Sequence, residues 1–237
     1  TPSLFSIHYD SDNVSMLPAL INTLLMTMLA LLIAGPLGIF AAIYMVEYAK
    51  KGNKVVGVVR VTAETLSGIP SIVYGLFGAL FFVTFLHLRL SLISGALTVA
   101  IMVLPTILRT TEEALIAVPA SFREGSFGLG AGKLRTVFRI VLPSAVPGIL
   151  SGVILATGRI VGETAALIYT AGTTAKLPKN LLSSTRTLSV HMYMLSGEGF
   201  HTDQAFETAV ILLILVIVIN LISNLLASRL TAKGIKK

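Results

Sequence analysis

Read in order, the polar and apolar positions divide the chain into long uncharged runs separated by short charged ones. No Asp, Glu, Lys or Arg lies between Asp12 and Glu47, between Glu64 and Arg89, between Arg89 and Arg109, between Arg139 and Arg159, or between Glu207 and Arg229. A helix needs about 20 mainly apolar residues to cross a hydrocarbon layer of about 30 Å. The five runs therefore predict an all-α, polytopic bundle of about five membrane spans, over about residues 17–46, 66–86, 90–108, 143–169 and 206–227 of a single permease-like domain, 1–237. Stretches such as Val210–Ile219 are apolar on every face, which a helix in a water-soluble core has no reason to be. Gly35-Pro36 is expected to kink the first span. Val55–Thr65 reads as an amphipathic approach to the second, and Ser67, Gly68, Pro70 and Ser71 as a break at its head.

Composition strengthens this picture. Only 12% of the 237 residues are charged and 54% are hydrophobic, against about 25% charged in soluble domains. The absence of cysteine excludes disulfides and thiolate metal sites. His8, His87, His191 and His201 have no metal-ligand spacing. The chain starts at Thr1, and its first 16 residues are mixed and partly polar, without the basic start and short apolar run of a signal peptide. The missing Met leads us to expect a processed or truncated N-terminus, with a preceding helix lost.

The net charge of +7 is not spread evenly. Connections between spans alternate sides. One side collects Lys50, Lys51, Lys54, Arg60, Arg109, Arg123, Lys133, Arg135, Arg139, Arg229, Lys233, Lys236 and Lys237; the other has only Arg89, Lys176, Lys179 and Arg186. Positive residues concentrate on the cytoplasmic side. This predicts a cytoplasmic loop over about 109–142, a cytoplasmic C-terminus, an external Thr1 and an external loop over about 171–204. A docking place for a binding protein and a disordered connector are both open readings of the external loop. The basic residues have no interleaved aromatics of the kind that bind single strands, so no nucleic-acid partner is expected.

Within the cytoplasmic loop, Ser121 and Glu124 have capping-box spacing and predict a short helix starting at Ser121. Gly128, Gly130 and Gly132 then predict its end and a turn into a second helix. Gly128-Leu-Gly-Ala-Gly-Lys133 hints at a nucleotide loop, but Phe127 and Leu134 stand where that motif needs Gly and Ser or Thr. ATP binding is thus assigned to another subunit, and no cofactor to this chain.

The spacing Glu124-x5-Gly130-x9-Ile140-x-Leu142-Pro143 resembles the coupling-loop signature of ABC importer permeases, with Gly125 and Ser126 where two alanines are usual. The resemblance implies that about Ser121–Leu134 docks into a cleft on an ATPase subunit, with Ser121, Arg123, Glu124 and Gly130 as coupling residues. Leu66–Gly75, Leu108–Glu113 and Gly158–Ala165 are similar to the PstA family of phosphate permease subunits, and the likeness runs over essentially the whole chain. That family typically has one more N-terminal span. The likeness implies a homologous PstC-like permease as partner, two copies of a PstB-like ATPase that uses ATP and Mg, and a periplasmic PstS-like phosphate-binding protein.

Arg159 and Glu163 lie within the fourth predicted span, four residues apart, and are expected on one helix face. An Arg at the centre of a bilayer costs roughly 2.5–3.5 kcal/mol on insertion scales, so it normally faces a partner or a wet pathway. One reading gives Arg159 a bidentate contact to a passing oxyanion, since the guanidinium is planar and permanently charged. The other has Arg159 and Glu163 neutralise each other. By resemblance, Arg109 and Arg159 both match positions associated with phosphate passage; Arg109 otherwise reads as an interface anchor. Glu163 accepts hydrogen bonds when ionised and can in principle accept the proton that phosphate carries and sulfate lacks. Gly148/Gly152 and Gly158/Gly162 have the spacing of close helix packing. The residues alone leave open an importer for sulfate or molybdate. A secondary transporter or channel remains a rival, though no internal repeat supports one. No His cluster or paired-carboxylate constellation supports a membrane enzyme.

Overall fold

The computed structural model describes residues 15–50, 52–198 and 202–234, with side chains as far as residue 225 except that of Glu198. His8, Lys51, His201, Lys236 and Lys237 lie outside the described residues, as do the side chains of Arg229 and Lys233. All described regular structure is helical. Helix α1 (Leu17–Ile43) runs through Pro36 and continues as a wide π turn, Tyr44–Tyr48. Helix α2 (Lys54–Ser67) begins at Asn53, whose Oδ1 accepts the Val55 N–H at 2.9 Å. It ends at Gly68, and the chain restarts after Pro70.

The second expected span is therefore not one helix. Its apolar part is α3 (Ser71–Gly78), prolonged by a wide turn Ala79–Phe85. Helix α4 (Leu92–Ile116) outruns the third expected span, so residues 109–116 are helix rather than loop. Helix α5 (Ala120–Gly128) and the short α6 (Lys133–Thr136) follow, the latter leading through the π turn Val137–Val141 into α7 (Leu142–Val161). The fourth expected span is interrupted: α7 stops at Val161, and α8 (Ala165–Thr170) starts anew. Helix α9 (Leu188–Glu198) lies inside the expected external loop, and α10 (Thr202–Gly234) ends the described chain. Among the described residues, four runs can cross a membrane by length and composition: Leu17–Tyr48, Leu92–Ile116, Lys133–Val161 and Thr202–Leu225. A fifth is added if α2 and α3 count as one broken span.

The chain groups into two compact units. The first takes residues up to 33, 69–103 and 157–219. Here α3 meets α8 without intervening side chains. A Cβ on Gly75 would stand 2.8 Å from the Ala166 Cα, and one on Gly78 would collide with Thr98 and Thr170. Some buried hydroxyls donate one turn back on their own helices, as in Thr23 to Ala19 O and Thr98 to Ser94 O, both 2.8 Å, which lets polar residues sit in apolar surroundings. Gly158 and Gly162 face no neighbouring helix, contrary to the close packing expected of them.

The second unit takes residues 34–68, 104–156 and 220 onward. Its core joins the end of α1 (Ala42, Ile43), the end of α4 and its exit (Leu115, Val118) and the α6–α7 run (Val137, Val141, Ala145, Ile149). Gly148 and Gly152 do pack closely: a Cβ on Gly148 would lie 2.6 Å from that of Ala114, and one on Gly152 would overlap Thr110.

Candidate functional site

The basic loop of the second unit folds into a protruding knob. Helix α5 starts one residue earlier than expected, at Ala120, because Pro119 fixes an extended turn before it (φ −55°, ψ 139°) and no side chain caps it. The predicted capping box is absent; Ser121 and Glu124 are both exposed on the helix. Gly130, with φ +79°, ends α5 in the left-handed region that favours glycine, and its N–H reaches Phe127 O at 2.9 Å. Ser126 and Thr136 share a hydrogen bond of 2.8 Å that closes α5 onto α6. The knob then presents Phe122, Phe127, Leu129 and Leu134 to the surroundings, with Leu129 92% exposed.

Arg123 does not join that outward face. Its Nη2 donates to Glu47 Oε1 at 2.6 Å and to Leu115 O at 2.9 Å, its Nη1 to Val118 O at 2.8 Å, and its Nε to Glu47 Oε1 at 3.1 Å. The side chains are only 20% and 8% exposed. Arg123 thus fastens the knob to the end of α1 and the end of α4, instead of reaching toward another subunit. Glu47 is the partner of Arg123 that sequence reasoning missed. Its only signal was its position as the acid that ends a long apolar run, and its partner lies 76 residues away.

In the first unit, Arg159 lies in the last turn of α7 and is partly buried. It makes no ion pair among the described residues, and its charge reaches the Tyr74 side chain on α3. Glu163 does not share a helix face with it. The residue falls in the gap after α7, where its buried carboxylate Oε1 accepts the Ala166 N–H at 3.0 Å and its carbonyl accepts the Ser189 hydroxyl at 2.6 Å. The i,i+4 relation fails because the helix ends at Val161, before the second residue of the pair. Glu163 instead caps α8, and mutual neutralisation with Arg159 is not what the geometry provides.

Arg109, in the second unit, is an exposed surface side chain paired i,i+4 with Glu113 at 3.1 Å. It lines a cleft of about 300 Å³ with Glu113, Glu64, Glu112 and the ion-paired Arg60. Acidic groups outnumber basic ones there.

Residues 171–187, expected as an external loop, are a folded segment. Asn22 Nδ2 donates to the carbonyls of Lys176 and Arg186 at 3.1 and 3.2 Å, and the Leu92 N–H to Ser183 O at 3.0 Å. Arg186 Nε donates to Thr173 O at 2.7 Å, and its Nη1 faces Nδ1 of the buried His191 at 3.2 Å. Because Arg only donates, Nδ1 is the acceptor and the imidazole is neutral. Burial, and then the Arg186 charge, lower its pKa from 6.5 to about 4. The folded state therefore resists a proton that the unfolded chain takes up below pH 6.5. Stability is complete above that pH and falls as the pH drops toward 4, by about 2 kcal/mol at pH 5. The thermal midpoint of the purified protein is expected to drop between pH 7 and pH 5, and to stay nearly level in His191→Asn, which keeps an acceptor but does not titrate.

The family model described as binding-protein-dependent transport system inner membrane component matches residues 34–234. The chain belongs to this family. It is therefore an inner-membrane transport component, and ATP hydrolysis falls to a separate subunit of the importer. The permease is 37% identical over 230 residues to the probable ABC transporter permease protein YqgI of Bacillus subtilis (strain 168), covering 90% of this chain and 78% of that one. It is 40% identical over 154 residues to the phosphate transport system permease protein PstA 1 of Mycobacterium tuberculosis (strain CDC 1551 / Oshkosh), covering 65% of this chain and 50% of the relative. Its fold is that of a chain in the solved inward-facing MetNI methionine ABC transporter, with TM-score 0.70, 20% identity, and coverage of 91% and 94%.

Proposed function

We propose that this permease carries phosphate through the membrane as half of an ATP-driven importer, and that Arg159 is the group that meets the ion. One observation carries the reading: a guanidinium in the last turn of an otherwise apolar helix, partly buried, with no carboxylate partner among the described residues. An unpaired buried cation is costly, and a tetrahedral oxyanion compensates it through two parallel hydrogen bonds. Similarity to PstA 1 chooses phosphate among the oxyanions. Glu163, in the gap after α7, holds the start of α8; its second carboxylate oxygen is the candidate acceptor for the proton of phosphate. Arg109 belongs to the same proposal as a cytoplasmic cation whose pairing with Glu113 an arriving anion would compete for.

The knob of α5 and α6 docks on the ATPase subunit through Phe127, Leu129 and the exposed Glu124, while Ser121 borders that face, Gly130 sets its turn and Arg123 anchors it from within. A PstC-like permease completes the pathway, a PstB-like ATPase pair uses ATP and Mg, and a PstS-like protein delivers phosphate to the outer face, where residues 171–187 are held in one shape. The C-terminus is cytoplasmic, on the side with most of the lysines and arginines.

The test is uptake of radiolabelled phosphate by the importer assembled in vesicles, with sulfate and molybdate added as competitors. Phosphate uptake that requires ATP and resists both competitors is the expected result. Transport by this chain without an ATPase, or equal competition by sulfate, would sink the reading.

A further inference from the structure

A second cleft in the second unit, of about 580 Å³, lies where the π turn ending α1 meets the start of α2. Lys50, Lys54 and Arg60 line it over an apolar floor that includes Met45, Val46 and Ile116, and no carboxylate is part of its wall. The neighbouring acids are engaged elsewhere: Glu47 holds Arg123, and Glu112, with Glu64 behind it, acts on Arg60 from outside the cleft. Lys50 and Lys54 make no ion pair among the described residues and are exposed. The cleft is thus a cationic recess with two uncompensated ammonium groups and one guanidinium fixed by its own ion pair. Along α2, Val55, Val58 and Val61 are each more than 60% exposed, an apolar face that suits hydrocarbon. With that face in the bilayer, the lysines at the start of the helix stand at the depth of lipid headgroups.

We propose that this cleft binds a phosphate group on the cytoplasmic face, borne either by an anionic lipid or by free inorganic phosphate, separately from the path through the membrane. The volume admits a headgroup with its glycerol, the lysines supply point charges, and the apolar floor suits the first methylenes of an acyl chain. The site does not depend on which ion the importer carries.

The experiment uses the assembled complex in nanodiscs of phosphatidylcholine doped with phosphatidylglycerol. Tightly held lipid is counted by native mass spectrometry, and inorganic phosphate is titrated in a parallel arm. Two unpaired lysines near the membrane surface predict that Lys50→Gln/Lys54→Gln weakens binding by roughly tenfold or more. Lys179→Gln and Arg159→Gln are expected to leave it unchanged, which separates this site from the translocation path. Retention of phosphatidylglycerol over phosphatidylcholine, lost in the double variant, assigns the group to lipid. Binding of inorganic phosphate, lost in the same variant, assigns it to the free ion. No preference for phosphatidylglycerol together with no phosphate binding overturns the proposal, and so does binding by the double variant at the original strength. Both lysines are exposed, so the double variant is expected to keep its thermal midpoint.

Discussion

Arg159→Gln, in an otherwise intact importer, is expected to lose phosphate uptake while still assembling. Losing one partner of a desolvated charge pair costs roughly 2–5 kcal/mol. At 1.4 kcal/mol per decade, that is a fall of about 30-fold to several thousand-fold. Assembly should survive because Arg159 is not part of any ion pair among the described residues, so its removal leaves no carboxylate stranded. Glu163 in particular stays bonded to the Ala166 N–H. Arg159→Lys keeps the charge but replaces the fork with a point donor, and should fall between the two. Initial uptake rates at several phosphate concentrations measure this, with co-purified ATPase as the control for assembly. Near-normal uptake by Arg159→Gln would remove the residue from the pathway.

The second large effect is expected at the clip between Arg123 and Glu47. Arg123→Ala strands a carboxylate that is 8% exposed and frees two carbonyls, those of Leu115 and Val118. Breaking a buried pair on one side costs roughly 3–5 kcal/mol; the partial exposure of Arg123 puts the expected loss at the lower end. The knob should remain able to bind the ATPase, since its outward side chains are untouched, but it would no longer be fastened to α1. Uptake is then expected to fall at least about tenfold while the complex continues to hydrolyse ATP. Adding Glu47→Gln removes the stranded charge, though not the two freed carbonyls, and should restore part of the thermal midpoint without restoring uptake. Recovery of both would reduce the clip to a stability element, and unchanged uptake in Arg123→Ala would dismiss it.

The charge-free runs revealed where apolar helices lie, because a bilayer tolerates few ionised groups and the gaps between them are long. The glycine at 130 was legible too, since ending a short helix in the left-handed region leaves few choices of residue. Four features were not. Helix α5 gained no cap from Ser121 because the preceding proline already set the turn, so a capping pattern existed with nothing for it to do. Arg159 and Glu163 had helical spacing, but the helix ended between them at Val161, and spacing carries meaning only while the helix lasts. Arg123 read as an outward residue because its partner, Glu47, is remote in sequence, and no local rule connects them. The break at Ser67–Pro70 was visible in its glycine and proline; the length of α4 was not, because Thr111 and Glu112 at its polar end are buried and look like loop residues when burial is unknown.

The contact of α3 with α8 through Gly75 and Gly78 has a consequence for how the molecule can be perturbed. Lipid tails are as apolar as the helices, so no hydrophobic drive holds the two together; what remains is dispersion between backbones in near contact. Such a weld ignores ionic strength and pH. It answers instead to volume, and one methyl group on either glycine would prise open what no change of buffer can.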